Sequence, residues 1–129
     1  MSKKAKAFKF DLHDLIRAAR AAIEKKKLQF QQKGSQAGCY YGSGKNNSVH
    51  CVVGSVLPSE LIQTIQYMGD EGCGFATLVS KRYVSVPAKH KKIIDNLQSV
   101  HDSLCGDKRP MAVRVGIMAG ALDLAKALA

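Results

Sequence analysis

The chain has no tryptophan, and its aromatic residues amount to four phenylalanines and four tyrosines in 129 positions. A core made from it has to be aliphatic and alanine-rich, which favours closely packed helices over a sheet sandwich. Acidic residues are also scarce: ten stand against twenty lysines and arginines, a net charge of +10. Such a balance implies solubility and attraction to polyanions, and says nothing about the fold. No run is long and apolar enough to span a bilayer; the stretch 111–129 comes nearest, but Arg114, Asp123 and Lys126 interrupt it. The opening MSKKAKAFKF lacks the apolar segment of a secretory signal, so a cytoplasmic location with reduced thiols is expected for the four cysteines.

The three prolines are each placed to open a helix. Pro58 precedes Leu61, Ile62, Ile65 and Met68, with Glu60 in the first turn and Gly69 as the stop. Pro87 precedes Ile93, Ile94, Leu97, Val100 and Leu104, and Pro110 precedes Val113, Ile117, Ala121, Leu124 and Leu128. In this last segment Gly116 and Gly120 are one turn apart, which suits close approach by another helix. Upstream, Asp11 is a cap for a helix in which Asp14 stands three residues on and Phe10 can staple to Leu15. Its apolar stripe Leu12, Leu15, Ile16, Ala19, Ile23 and Phe30 extends toward Gly34, the natural stop. Residues 75–83 are ambiguous between short helix and strand, with Val79, Val84 and Val86 favouring strand.

These patterns predict a mainly α, compact domain of four to five helices spanning 1–129, with residues 1–9 as a mobile basic arm. One Gly/Tyr-rich loop or short hairpin interrupts it between Gly34 and Asn47, where Tyr40 and Tyr41 precede Gly42-Ser43-Gly44-Lys45. Residues 38–41 and 49–53 can pair as a hairpin. A buried turn over Cys51–Leu57 is preferred, since a lone hairpin leaves open edges in a helical domain.

No catalytic or metal motif completes itself. The glycine-rich loop differs from a phosphate-binding P-loop in spacing, because Gly38 lies one residue too far back, Asn46 takes the hydroxyl position and no helix pattern follows. Cys39, His50, Cys51 and Cys73 lack the spacing of a zinc site. Cys51 and Cys105 read as small buried thiols, and His101 as a histidine at the edge of the core. Neither His13-Asp14 nor His101-Asp102 faces a recognisable nucleophile. No enzyme, metal or cofactor is expected.

Charge placement is more informative. Up to Lys33 there are ten basic and three acidic residues; the remaining chain has ten and seven. Arg17, Arg20, Lys25, Lys26, Lys27 and Lys33 are therefore expected to contact phosphates, with Tyr40, Tyr41 and Lys45 adding loop contacts. A second set, Lys81, Arg82, Lys89, Lys91 and Lys92, extends this surface if it falls on the same side. No helix-turn-helix, zinc-finger or ribonucleoprotein signature supports sequence-specific reading.

The segments His50-Cys51-Val52-Val53-Gly54…Leu57-Pro58 and Leu97-Gln98-x-x-His101-Asp102 resemble short uncharacterised proteins of bacteria and their phages, over roughly residues 37–104. That resemblance implies a mobile-element setting, in which small basic proteins bind nucleic acid or block a host nucleoprotein machine. An anti-defence inhibitor of the anti-CRISPR kind is one such protein. The expected function is non-enzymatic binding of nucleic acid or a nucleoprotein complex. The alternative is a module that binds an acidic protein surface, and a small thiol-dependent enzyme comes third.

Overall fold

The computed structural model describes residues 6–28, 30, 41–42, 51–70, 73–105 and 107–129. Among these, five α-helices and one pair of two-residue strands are present: β1 (Phe8–Lys9), α1 (Leu12–Glu24), α2 (Ser59–Tyr67), α3 (Phe75–Ser80), β2 (Val84–Ser85), α4 (Ala88–Cys105) and α5 (Met111–Leu128). The mainly helical reading holds. The basic arm, however, is shorter than expected, because β1 pairs in parallel with β2 and the Phe8 N–H donates to the Tyr83 carbonyl at 3.0 Å. Phe10 then turns inward against Phe75, ring centroids 6.4 Å apart, and anchors the strand to α3.

Helix α1 starts where the chain says it should. Asp11 accepts the Asp14 N–H at 2.8 Å and Asp14 accepts the Asp11 N–H at 3.1 Å, a reciprocal capping box. A further orphan donor at this end, the Leu12 N–H, is taken by His90 Nδ1 of α4 at 3.2 Å. Helix α1 ends earlier than Gly34. It stops at Glu24, and Lys26 adopts a left-handed backbone (φ 57°) so that Leu28 and Phe30 can still be buried from outside the helix. Within residues 75–83 the helix prevails, as α3 up to Ser80; the strand β2 begins only at Val84.

The centre of the molecule is the segment 51–57, a buried turn with a short 3-10 helix over Gly54–Val56, against which α1 packs. Two contacts hold it. The Val53 N–H donates to Gln98 Oε1 at 3.1 Å, and the Gln98 amide nitrogen donates onward to Asp102 at 2.9 Å. Gly54 lies directly against Tyr41, where a Cβ would stand 1.7 Å from the carbonyl oxygen. Tyr41 is held in turn by its hydroxyl, which donates to the Cys73 carbonyl, and Gly42 accepts from the Gln66 side chain at 3.0 Å. The motif pieces Cys51–Gly54 and Gln98–Asp102, distant in sequence, thus meet in one buried polar joint.

Three sequence expectations are corrected here. Tyr41 is buried (2% exposed) and cannot be a loop contact, because its ring fills the core beside Gly54. Cys105 is in a disulfide, not a free thiol, whereas Cys51 and Cys73 are free. Pairing depends on which cysteines the fold brings within about 6 Å (Cα to Cα), which chain spacing does not give. On α5 the buried residues are Met118, Leu122 and Ala125, while Val113, Ile117, Leu124 and Leu128 are exposed.

Gly54→Ala is expected to destabilise the fold by roughly 3 kcal/mol or more, since the clash is with backbone and no side chain can swing away. Gly116→Ala, where a Cβ meets nothing within 4 Å, is expected to raise stability by about 0.5–1 kcal/mol through helix propensity. Urea unfolding of the two variants beside the wild type measures both.

A candidate nucleic-acid interface

Two basic regions emerge, and they are separate. The first is the end of α1, where Lys25, Lys26 and Lys27 are exposed and carry no ion pair among the described residues. Arg17 and Arg20 belong to the same helix but are already engaged. Arg17 pairs with Asp14 at 2.6 Å, and Arg20 pairs with Asp123, joining α1 to α5. Lys33, Tyr40 and Lys45 lie outside the described residues.

The second region is a groove of about 1000 Å³ between the strand pair, α2 and the turn after α3. Its apolar lining includes Phe8, Leu61, Val79, Tyr83 and Val86, and its cations are Lys6, Lys81, Arg82 and Lys91. Glu60 is the one carboxylate among the lining residues. Lys81, Arg82 and Lys91 come from the second basic set, whereas Lys6 and Phe8 come from the supposed mobile arm. The strand pairing brings them together. The groove lies toward the start of α1 and the lysine triplet at its end, separated by the 13-residue helix, about 20 Å at 1.5 Å per residue.

One side of the groove is built around Asp70. Its carboxylate accepts from Lys81 Nζ at 2.6 Å and from the Tyr83 hydroxyl at 2.7 Å. The Lys81 hydrogen bond, followed by that of Tyr83, holds the Asp70 carboxyl below its usual value. Burial, reinforced by the bond to Asp70, pushes the Tyr83 phenol up to about 12. Lys81 is thereby tied down, leaving Lys6, Arg82 and Lys91 without an ion-pair partner among the described residues.

Backbone geometry links the two regions. Helices α1, α2 and α3 end in the same way, with a left-handed residue followed by an N–H that reaches back five residues. These long bonds are Lys27 to Ala22 (2.7 Å), Asp70 to Ile65 (3.0 Å) and Tyr83 to Leu78 (3.0 Å). In α2 the left-handed residue is Gly69, as expected for a position where a Cβ costs about 1 kcal/mol. In α1 and α3 it is Lys26 and Arg82, the two non-glycine residues with positive φ among those described. Each stands in the middle of one basic region. Both are legible in the sequence as cations but not as left-handed helix ends; the available signal was a helix end at Ser80 with no glycine after it.

The remaining candidates are structural. Cys51 is fully buried and burial pushes its thiol up to about 12, far from a nucleophile's range. His101 is deeper than expected: fully buried and stacked on Phe30 at 4.5 Å between ring centroids. Among the described residues no cluster of three or more histidine, cysteine or acidic side chains is placed to hold a metal, and no helix is long and apolar enough to cross a membrane. No family model, curated protein or solved structure matches this chain.

The folded-state lowering of Asp70 and of Asp107, the latter held at about 2 chiefly by its hydrogen bond from Arg109, gives a stability contribution with a definite sign. It is complete above the ordinary carboxylate value and is lost as pH falls through the folded values. Urea midpoints are therefore expected to drop between about pH 4 and pH 2, and Asp70→Asn to flatten that drop while lowering the midpoint at neutral pH. Arg82→Gly is expected to leave stability unchanged or raise it by up to about 1 kcal/mol, because relief of the left-handed backbone is partly offset by the freer unfolded chain.

Proposed function

We propose that the protein is a non-enzymatic binder of nucleic acid, free or within a nucleoprotein complex. The observation that carries this reading is the use of cations at two left-handed helix ends where glycine is the relaxed choice. Backbone strain kept at a position is a reason to look for function there. At both ends the strained residue adds an exposed positive charge to an existing basic cluster.

The groove supplies the other half of the recognition. Single-stranded nucleic acid is bound by combining cations that follow the phosphates with aromatic or apolar faces on which bases stack. Lys6, Arg82 and Lys91 fill the first role, and Phe8 and Tyr83 the second. Lys25, Lys26 and Lys27 form a further phosphate contact at the far end of α1. The mobile-element setting implied by the resemblance to short phage and bacterial proteins is part of this proposal: such a binder would act as an anti-defence inhibitor by occupying the nucleic acid of a host defence complex. Binding to an acidic protein surface is the competing reading and differs in salt response.

Fluorescence anisotropy with single- and double-stranded DNA and RNA oligonucleotides, titrated with salt, tests this. Micromolar or tighter binding at low salt is expected, weakening steeply as salt rises. Arg82→Gly is expected to reduce the log–log salt slope by about 1, and conversion of Lys25, Lys26 and Lys27 to glutamine by up to about 3, with each fold retained. No binding at low salt, or full binding by both variants, overturns the proposal.

A further inference from the structure

Helix α5 is apolar on nearly every side, as befits a helix enclosed by others, yet the chain covers only part of it. Met118, Leu122 and Ala125 face the core. Val113, Ile117, Leu124 and Leu128 are exposed by 42, 36, 63 and 65% respectively. At 100° per residue these four fall within about 60° of arc, a continuous seam along a helix about 27 Å long. Of the helix's three charges, Arg114 reaches the Leu104 carbonyl at 3.4 Å, Asp123 is paired with Arg20, and the exposed Lys126 falls on the opposite side of the helix from the seam at 100° per residue. The seam itself offers a nucleic acid no cation.

The seam is self-complementary. Val113 and Leu128 are equidistant from the midpoint between Gly120 and Ala121, as are Ile117 and Leu124. An antiparallel copy crossing at that midpoint sets Val113 against Leu128 of its mate and Ile117 against Leu124, the isologous pattern of a twofold dimer. Small residues stand at the crossing. A Cβ on Gly120 meets nothing within 4 Å, so the space that lets two helix backbones approach is not used within the chain.

We propose that α5 is a homodimer interface, paired antiparallel about Gly120 and Ala121 with a second copy of this chain. Each copy contributes on the order of 400 Å² of apolar surface, so the pair buries roughly 800 Å², at the small end of interfaces, where association is weak and reversible. Two chains of +10 repel each other, and salt screens that repulsion over about 10 Å at 0.1 M. Self-association therefore strengthens with salt, opposite to the response of nucleic-acid binding.

Sedimentation equilibrium of the full chain at low micromolar to millimolar concentration, at about 0.1 and 0.5 M salt, reads this directly. The expected result is a monomer–dimer equilibrium, tighter at the higher salt. Leu124→Lys and Gly120→Leu are each expected to weaken it at least about tenfold, the second by filling the crossing. Circular dichroism melts should show both monomers folded, with Gly120→Leu as stable as the wild type or more so. A chain that stays monomeric at millimolar concentration in the higher salt overturns the proposal, as does a dimer that both variants retain.

Discussion

The contact on which the rest of the molecule depends is that between Gly54 and the Tyr41 backbone. It lets the turn over residues 51–57 sink to the centre, where α1 packs on it and Gln98 of α4 takes its free Val53 N–H. A buried amide donor without a partner costs about 1–3 kcal/mol, so the Gln98 side chain is part of the turn's structure rather than an accessory. Tyr41 then links this centre to the start of α3 through the Cys73 carbonyl, and Gly42 links it to α2 through Gln66. Loop residues that looked like surface chemistry act as the keystone of a helical core.

From that centre the elements diverge toward two different surfaces. The β1–β2 pairing brings Lys6 and Phe8 beside the residues that follow α3, and so creates a groove with an apolar lining and a cationic edge. Asp70 fixes Lys81 and Tyr83 as one wall, which gives the groove a defined shape without neutralising Lys6, Arg82 or Lys91. The opposite arrangement holds on α5, where Arg114 and Asp123 are drawn into contacts with the chain and an aliphatic seam is left outward. Charge recognition and apolar self-recognition are thus separated onto different elements, with opposite dependence on salt.

Local signals in the sequence proved dependable where they concerned neighbours along the chain. Asp11 and Asp14 are three residues apart, and their capping box needs nothing else. Pro58 and Pro110 cap the helices that follow them, and α4 begins directly after Pro87. Gly69 closes α2 in the conformation glycine permits. The end of α1 was misplaced because Phe30 continues the apolar stripe at helical spacing. Periodicity records that a residue is buried, not that it reaches burial from within a helix.

The sequence by itself determined the helical class, most helix starts and the excess of positive charge, since these follow from local propensity, capping chemistry and composition. Only the tertiary structure decided that Tyr41 is core, that Arg20 is paired with Asp123, and that Lys6 joins Arg82 and Lys91 across the chain. It also decided which side of α5 faces inward. An apolar helix carries no instruction about which of two aliphatic stripes to bury. That choice belongs to the shape of the surfaces packed against it, and those are assembled from residues far apart in sequence.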